Sequence, residues 1–202
     1  MTHSKSQPRT SSMHAFDCWK VKLLLIVSLF SATQCFAETY VHEQTGLVFE
    51  DTIADLTKTA ITNFENTKPG LGISVDYRAT GKKLTIYVYN LRNKTISTDH
   101  SDSLVVANFR NAINDIFKLN PNVEMENPKS IPFQGKKSNS NWLMTTFKTN
   151  DANGRPLNSY LLNTTYKNFF VKLRYTYDLE LKKEAESTGA KAFEYVAEQF
   201  TP

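Results

Sequence analysis

Cysteine is nearly absent: the chain has 2 in 202 residues. Cys18 and Cys35 both precede the first stretch that reads as a folded domain. From Glu38 onward no disulfide, thiolate zinc site or cysteine nucleophile can form. Histidine is scarce too, with only His42 and His100 beyond that point. No G-x-S-x-G segment occurs, so the strained elbow that presents a nucleophilic serine is missing. There is no glycine-rich phosphate loop, no internal repeat and no low-complexity linker. Nothing calls for a cofactor.

Long apolar runs are also missing, apart from one near the start. Lys20 and Lys22 lead into an uncharged segment, Leu23 to Ala37, that is apolar first and more polar after Ser31. This is the order of regions in a signal peptide. A stable bilayer span takes roughly 17 to 25 apolar residues, more than this segment supplies. Cys35-Phe36-Ala37 puts small residues where a signal peptidase inspects them, so cleavage is expected between Ala37 and Glu38 and no membrane span should remain. Cys35 also raises lipidation, but Gln34 stands where a lipobox carries a small residue.

The leader distorts the charge balance. The full chain carries 24 basic and 20 acidic residues, a net charge of +4. Lys5, Arg9, Lys20 and Lys22 fall in the leader with Asp17 as their only acid, so the remainder is close to neutral. Nucleic-acid binding, which relies on many cationic phosphate contacts, is therefore not expected. Residues 38–202 are long enough to bury one core without staples.

Periodicity supplies the fold. Tyr40-Val41 and Leu47-Val48-Phe49 read as short strands around Gly46 that open the sheet, and Asp51 or Thr52 as the cap of a single helical turn ending at Leu56. Thr57 to Phe64 reads as a strand. Ile73, Val75 and Tyr77 alternate with polar residues, and Leu84 to Tyr89 repeats the pattern after Gly81, so these two segments form a hairpin expected at the sheet centre. Val105, Phe109, Ala112, Ile113, Ile116 and Phe117 recur at helical spacing, with Asp102 or Ser103 as N-cap and Asn120-Pro121 as the stop. Trp142 to Phe147, Ser159 to Tyr166 and Phe169 to Tyr177 are further strands, the last two joined through Lys167-Asn168. A second amphipathic helix carries Ala190, Phe193, Val196, Ala197 and Phe200 and is expected beside the first. Ser187 to Gly189 should separate it from a charged segment, Leu179 to Glu186. The expected class is α+β: an antiparallel sheet of about six to eight strands covered by two main amphipathic helices.

Gly70 to Tyr77 (GLGISVDY), Leu84 to Leu91 (LTIYVYNL) and Phe169 to Asp178 (FFVKLRYTYD) together resemble uncharacterised secreted proteins of proteobacteria. The element order is similar to the PsbP/DcrB-like α-β-α sandwich. That resemblance implies a lumenal or envelope accessory protein and supplies no catalytic residue to carry over.

Candidate sites are few. Asp99, His100 and Asp102 are weak candidates for a divalent metal, although Asp and Ser ahead of an apolar helical run are what helix capping requires. Ser101 and Ser103 near His100 do not make a triad without an elbow. Glu124 and Glu126 read as solvated. Phe170, Lys172 and Arg174, beside Tyr160 or Tyr166 on the neighbouring strand, mix cations with aromatics and suggest a surface for an anionic ligand, an envelope component or a protein partner. Asn93-Lys94-Thr95 and Asn163-Thr164-Thr165 match the glycosylation acceptor pattern. A non-enzymatic periplasmic or secreted binding protein accounts for these features best. The alternatives are an envelope-polymer hydrolase using carboxylates or His100, and a secreted factor acting on another cell. Mass spectrometry of the exported protein should find Glu38 at its N-terminus; an acylated Cys35 or an intact leader would overturn the cleavage assignment.

Overall fold

The computed structural model describes residues 38–135 and 138–200. The leader, both cysteines and Ala37 lie outside the described residues, and of the expected cleavage site only Glu38 is among them. No described helix is long and apolar enough to cross a membrane.

The chain begins with a two-stranded ribbon, β1 (Tyr40–Val41) and β2 (Val48–Phe49). It does not open the main sheet as expected but forms its own pair. Strands β3 (Thr52–Ile53), β4 (Leu56–Asn63), β5 (Ile73–Ala79) and β6 (Lys82–Tyr89) follow, then helix α1 (Ser103–Leu119). The remaining strands are β7 (Glu124–Met125), β8 (Lys129–Gln134), β9 (Asn139–Asn150), β10 (Pro156–Tyr166) and β11 (Phe169–Asp178). A 3₁₀ turn, Leu179–Leu181, leads into helix α2 (Lys182–Ala197). Nine strands build one antiparallel sheet in the order β3-β4-β5-β6-β11-β10-β9, with β7 and β8 both pairing on β9.

The expected α+β class holds, and several local expectations are corrected. The single helical turn proposed at Asp51 or Thr52 is a β3–β4 hairpin instead, turned at Ala54, whose φ is 55°. The β5–β6 hairpin is off-centre: β6 and β11 hold the middle, and each has buried residues on both of its faces. The β10–β11 connection is as read, with Lys167 and Asn168 at φ 47° and 62°, the two-residue turn whose twist matches the flanking strands. Strands β7 and β8 were not read from the sequence. They are mostly exposed edge strands: β7 has two residues, and in β8 only Ile131 and Phe133 turn toward the core, with Pro132 between them, too short a pattern to mark a strand.

The two helices do not lie side by side. Val171, Leu173, Tyr175 and Tyr177 of β11 pack in one cluster with Ala185, Ala192, Val196 and Ala197 of α2. Phe170, on the opposite face of the same strand, packs with Val105 of α1, and Phe147 and Leu161 pack with Phe109, Ala112, Ile113 and Ile116. Two apolar sheet faces require two covers, and the result is an α-β-α sandwich. Helix α2 also runs unbroken through Ser187 to Gly189. A Cβ at Gly189 would stand 2.7 Å from Tyr175 Cε1, so the glycine admits a close helix-to-sheet approach where the sequence suggested a break.

One buried cation ties α2 to the sheet. Lys82 Nζ pairs with Asp55, beyond β3, and with Glu184 of α2, while Thr188 donates to Asp55 Oδ1 at 2.6 Å. Partial burial raises the Asp55 carboxyl, but hydrogen bonds from Lys82 and Thr188 outweigh it and hold the group below its ordinary range. The same pairing raises Lys82 through its hydrogen bonds with Asp55 and Glu184. Asp55 thus contributes stability fully above about pH 4 and loses it as pH falls through the lowered folded-state value. Lys82 loses its contribution only as pH climbs past its raised value. Lys82→Met should lower unfolding stability in urea by about 1 to 2 kcal/mol at neutral pH and flatten its decline in acid; an unchanged midpoint would refute the assignment.

Candidate functional site

Strand register divides the residues that the sequence grouped together. Tyr160 lies opposite Tyr175 and Tyr166 opposite Phe169, on the α2 face, whereas Arg174 lies opposite Leu161 on the α1 face. Tyr166 stacks on Phe200 with ring centroids 4.7 Å apart. Phe170, fully buried between Tyr89 and Val105 on the α1 face, belongs to the core. Because side chains alternate along a strand, the five residues cannot form one surface. Lys172 and Arg174 remain together.

Helix α1 covers only part of its sheet face, and a cleft of about 280 Å³ opens along its flank. Lys172 is on its floor beside Tyr87 and Tyr89 of β6. Asn108, Asn111 and Asp115 line the helix side at spacings of three and four, one flank of α1. Phe64, Leu71 and Leu91 close the far end.

Backbone geometry sets that far wall. Glu65 accepts from the Gly70 and Gly72 N–H groups, at 2.9 and 2.6 Å for the shorter contacts, and Leu91 N–H donates to Gly70 O at 2.7 Å. Gly72 has φ 60°, and a Cβ there would meet Val88 O at 1.9 Å. No other residue fits. The turn at Pro69-Gly70 therefore serves to bring Leu71 and Phe64 beside the cleft.

Lys172 is half-buried, with Nζ 4.3 Å from the Tyr87 ring centroid and 5.4 Å from that of Tyr89. Among the described residues it makes no ion pair and no hydrogen bond. Burial lowers its pKa, with Asp115 opposing and Arg174 adding to the shift. The π faces offer the ammonium electrostatic support, but they leave its three donors unengaged. Tyr89 donates to Asn108 Oδ1 at 2.9 Å, so Asn108 has only its N–H₂ to offer the cleft. Burial raises the Tyr89 hydroxyl to about 12, keeping it protonated as that donor. Arg174 is committed elsewhere: its Nε donates to Ser159 Oγ at 2.8 Å and its guanidinium lies 5.6 Å from the Phe147 centroid.

Asn163, directly opposite Lys172 on β10, is fully buried, and neither of its amide atoms has a hydrogen-bond partner among the described residues. Such an amide costs stability. Its burial also removes Asn163 as a glycosylation acceptor in the folded chain.

No family model matches this sequence, and no characterised protein matches it either. The solved structures that are distantly similar include the following two. One is the solution structure of cyanobacterial PsbP (CyanoP) from Synechocystis sp. PCC 6803, with 9% identity over 76% of this chain and 89% of that one and a TM-score of 0.42. The other is the crystal structure of the Saccharomyces cerevisiae Ran-binding protein Mog1p, with 11% identity over 72% and 84% and a TM-score of 0.33. Neither likeness bears on a residue of the cleft, and the resemblance to proteobacterial proteins has no counterpart in these comparisons.

The loop before α1 is occupied by capping. Asp102 Oδ1 accepts from Leu104 N–H at 2.8 Å, and Asp99 Oδ1 accepts from both the N–H and the hydroxyl of Ser101 at 2.8 Å. Asp99 and Asp102 thus spend these lone pairs on the chain itself. Among the described residues no group of three or more His, Cys, Asp or Glu is arranged to hold a metal. His42, in the β1–β2 turn, is buried, bonds Thr45 at 2.8 Å and packs edge-on against Phe169.

Sequence reasoning found Lys172 but missed Tyr87, Tyr89, Asn108 and Asn111. The signal was available for the tyrosines, since they occupy the face of β6 opposite Ile86 and Val88, where polar residues belong. For the asparagines no signal existed: Asn111 lies on an exposed flank, where polar residues are ordinary, and the burial of Asn108 depends on its partner Tyr89, distant in sequence. Asn163→Leu should raise unfolding stability by about 1 kcal/mol, as an unpartnered amide gives way to an apolar side chain of the same branched shape; a loss of stability by chemical denaturation would overturn this expectation.

Proposed function

We propose that this chain is an exported, non-catalytic binding protein, released from its leader at Ala37 and kin to secreted accessory proteins of the bacterial envelope. Its cleft beside α1 takes a ligand with one anionic group on an apolar body, such as an envelope component. The observation that carries this reading is Lys172: a half-buried ammonium over two tyrosine rings, with three donors unengaged, facing a cleft. The amides of Asn108 and Asn111 add donors on the opposite wall. Phe64, Leu71 and Leu91 supply apolar contact for the ligand body. Asp115 on the rim limits the cleft to a single anionic group, since a second would meet its carboxylate.

A hydrolytic role would need an acid and a base converging on one position within hydrogen-bond reach or across one water. The cleft offers one carboxylate, Asp115, and no imidazole, so binding accounts better for its chemistry. Envelope proteins and other cells' surfaces are both sources of such ligands, and localisation decides between them.

The reading is tested with benzoate and phenyl phosphate, followed by chemical-shift changes at the Asn108 and Asn111 side-chain amides. Saturable shifts are expected for both anions and not for benzylamine, and Lys172→Met should weaken them about tenfold or more. Equal response to benzylamine, or no effect of Lys172→Met, would refute it.

A further inference from the structure

The opposite face of the sheet holds a second, quite different recess. Between α2 and strands β8 to β11 is a cavity of about 220 Å³. Its floor is Met144, Tyr160, Leu162 and Leu173, neighbours across three strands. Its roof is thin because α2 presents Gly189 and Ala190 there, with Phe193 one turn on. Ala190 is exposed and Met144 and Tyr160 are half-buried, so the cavity is reached from solvent.

At one end stands Glu186. Among the described residues no cation pairs with it. Its Oε1 receives two long phenol contacts, from Tyr177 at 3.3 Å and Tyr160 at 3.5 Å, while Asn158 Nδ2 donates to the Tyr177 oxygen at 2.8 Å. Burial raises the Tyr160 hydroxyl, and Tyr177 and the Glu186 charge push the same way, so Tyr160 acts as a neutral donor toward Glu186. The Tyr160 and Tyr177 rings are stacked 6.1 Å apart at 30°. A carboxylate without a cation, flanked by aromatic rings at the end of an apolar recess, is complementary to an ammonium group on a short hydrocarbon.

We infer that this cavity is a binding site for a small primary amine, its apolar body between Met144, Leu162 and Ala190 and its ammonium on Glu186. An apolar cavity of about 150 Å³ accommodates benzene, so the occupant has roughly six to eight non-hydrogen atoms. The site lies on the other sheet face from Lys172, has the opposite charge preference and stands without the anion-binding reading.

The probe is n-hexylamine, with n-hexanol and hexanoate as controls, titrated into the protein while the Met144 methyl resonance and heat are followed. Hexylamine should give a saturable Met144 shift, hexanoate none. Glu186→Gln should weaken hexylamine about tenfold or more and leave hexanol unchanged. Ala190→Phe, at an exposed position, should block both by filling the recess, and Met144→Phe should do the same from the floor, with thermal unfolding confirming that each variant is folded. Lys172→Met should leave hexylamine binding intact. No saturable Met144 shift, an equal response to hexanoate, or hexylamine affinity indifferent to Glu186→Gln would overturn the inference.

Discussion

Everything in this molecule hangs on strand β11 being buried from both sides. Its odd-numbered residues, Val171 to Tyr177, and the even-numbered Phe170 are all withdrawn from solvent. A strand that buries apolar residues on both faces, four on one and Phe170 on the other, cannot cover both with one helix. Period-two alternation sends successive side chains in opposite directions, so α1 and α2 must take different faces. The antiparallel neighbours β6 and β10 then continue each face in register, and the two cores grow outward from this one strand.

The covers differ in quality, and that difference creates the recesses. Helix α1 is apolar along one stripe but carries Asn108 within its buried set, and it leaves the β6 edge of its face open. The strand residues there are Tyr87, Tyr89 and Lys172, so the uncovered part is aromatic and cationic. Helix α2 is drawn onto the sheet by small residues, Ala185, Gly189 and Ala192, and by the ion pair of Lys82 with Glu184 in its first turn. Small residues permit close approach at Tyr175 and leave space toward β9. Opposite charges end up on opposite faces: a lysine without a carboxylate on one side, a glutamate without a cation on the other.

Legibility followed the strength of local patterns. The α1 boundaries were read closely, because Asp102 and Asn120 act through contacts within a few residues of themselves. The β10–β11 hairpin was read from its two turn residues. The grouping of Tyr160 and Tyr166 with Lys172 failed for a geometric reason: facing is set by which residue stands opposite which, and a shift of one position moves a side chain to the other face. The break expected at Gly189 failed because the helix penalty of glycine is small beside the packing it permits against Tyr175.

The sequence by itself determined the elements that depend on neighbours in the chain: the alternating strands, the two amphipathic helices, the caps and the tight turns. It also set the charge balance and the absence of thiols beyond Cys35. Only the tertiary structure decided which face each helix covers, that Lys82 bridges Asp55 and Glu184, and that Lys172 meets two tyrosines from β6 and the asparagines of α1. Those pairings join residues dozens of positions apart, and the free energy that selects them comes from burying surfaces that exist only after the sheet has formed.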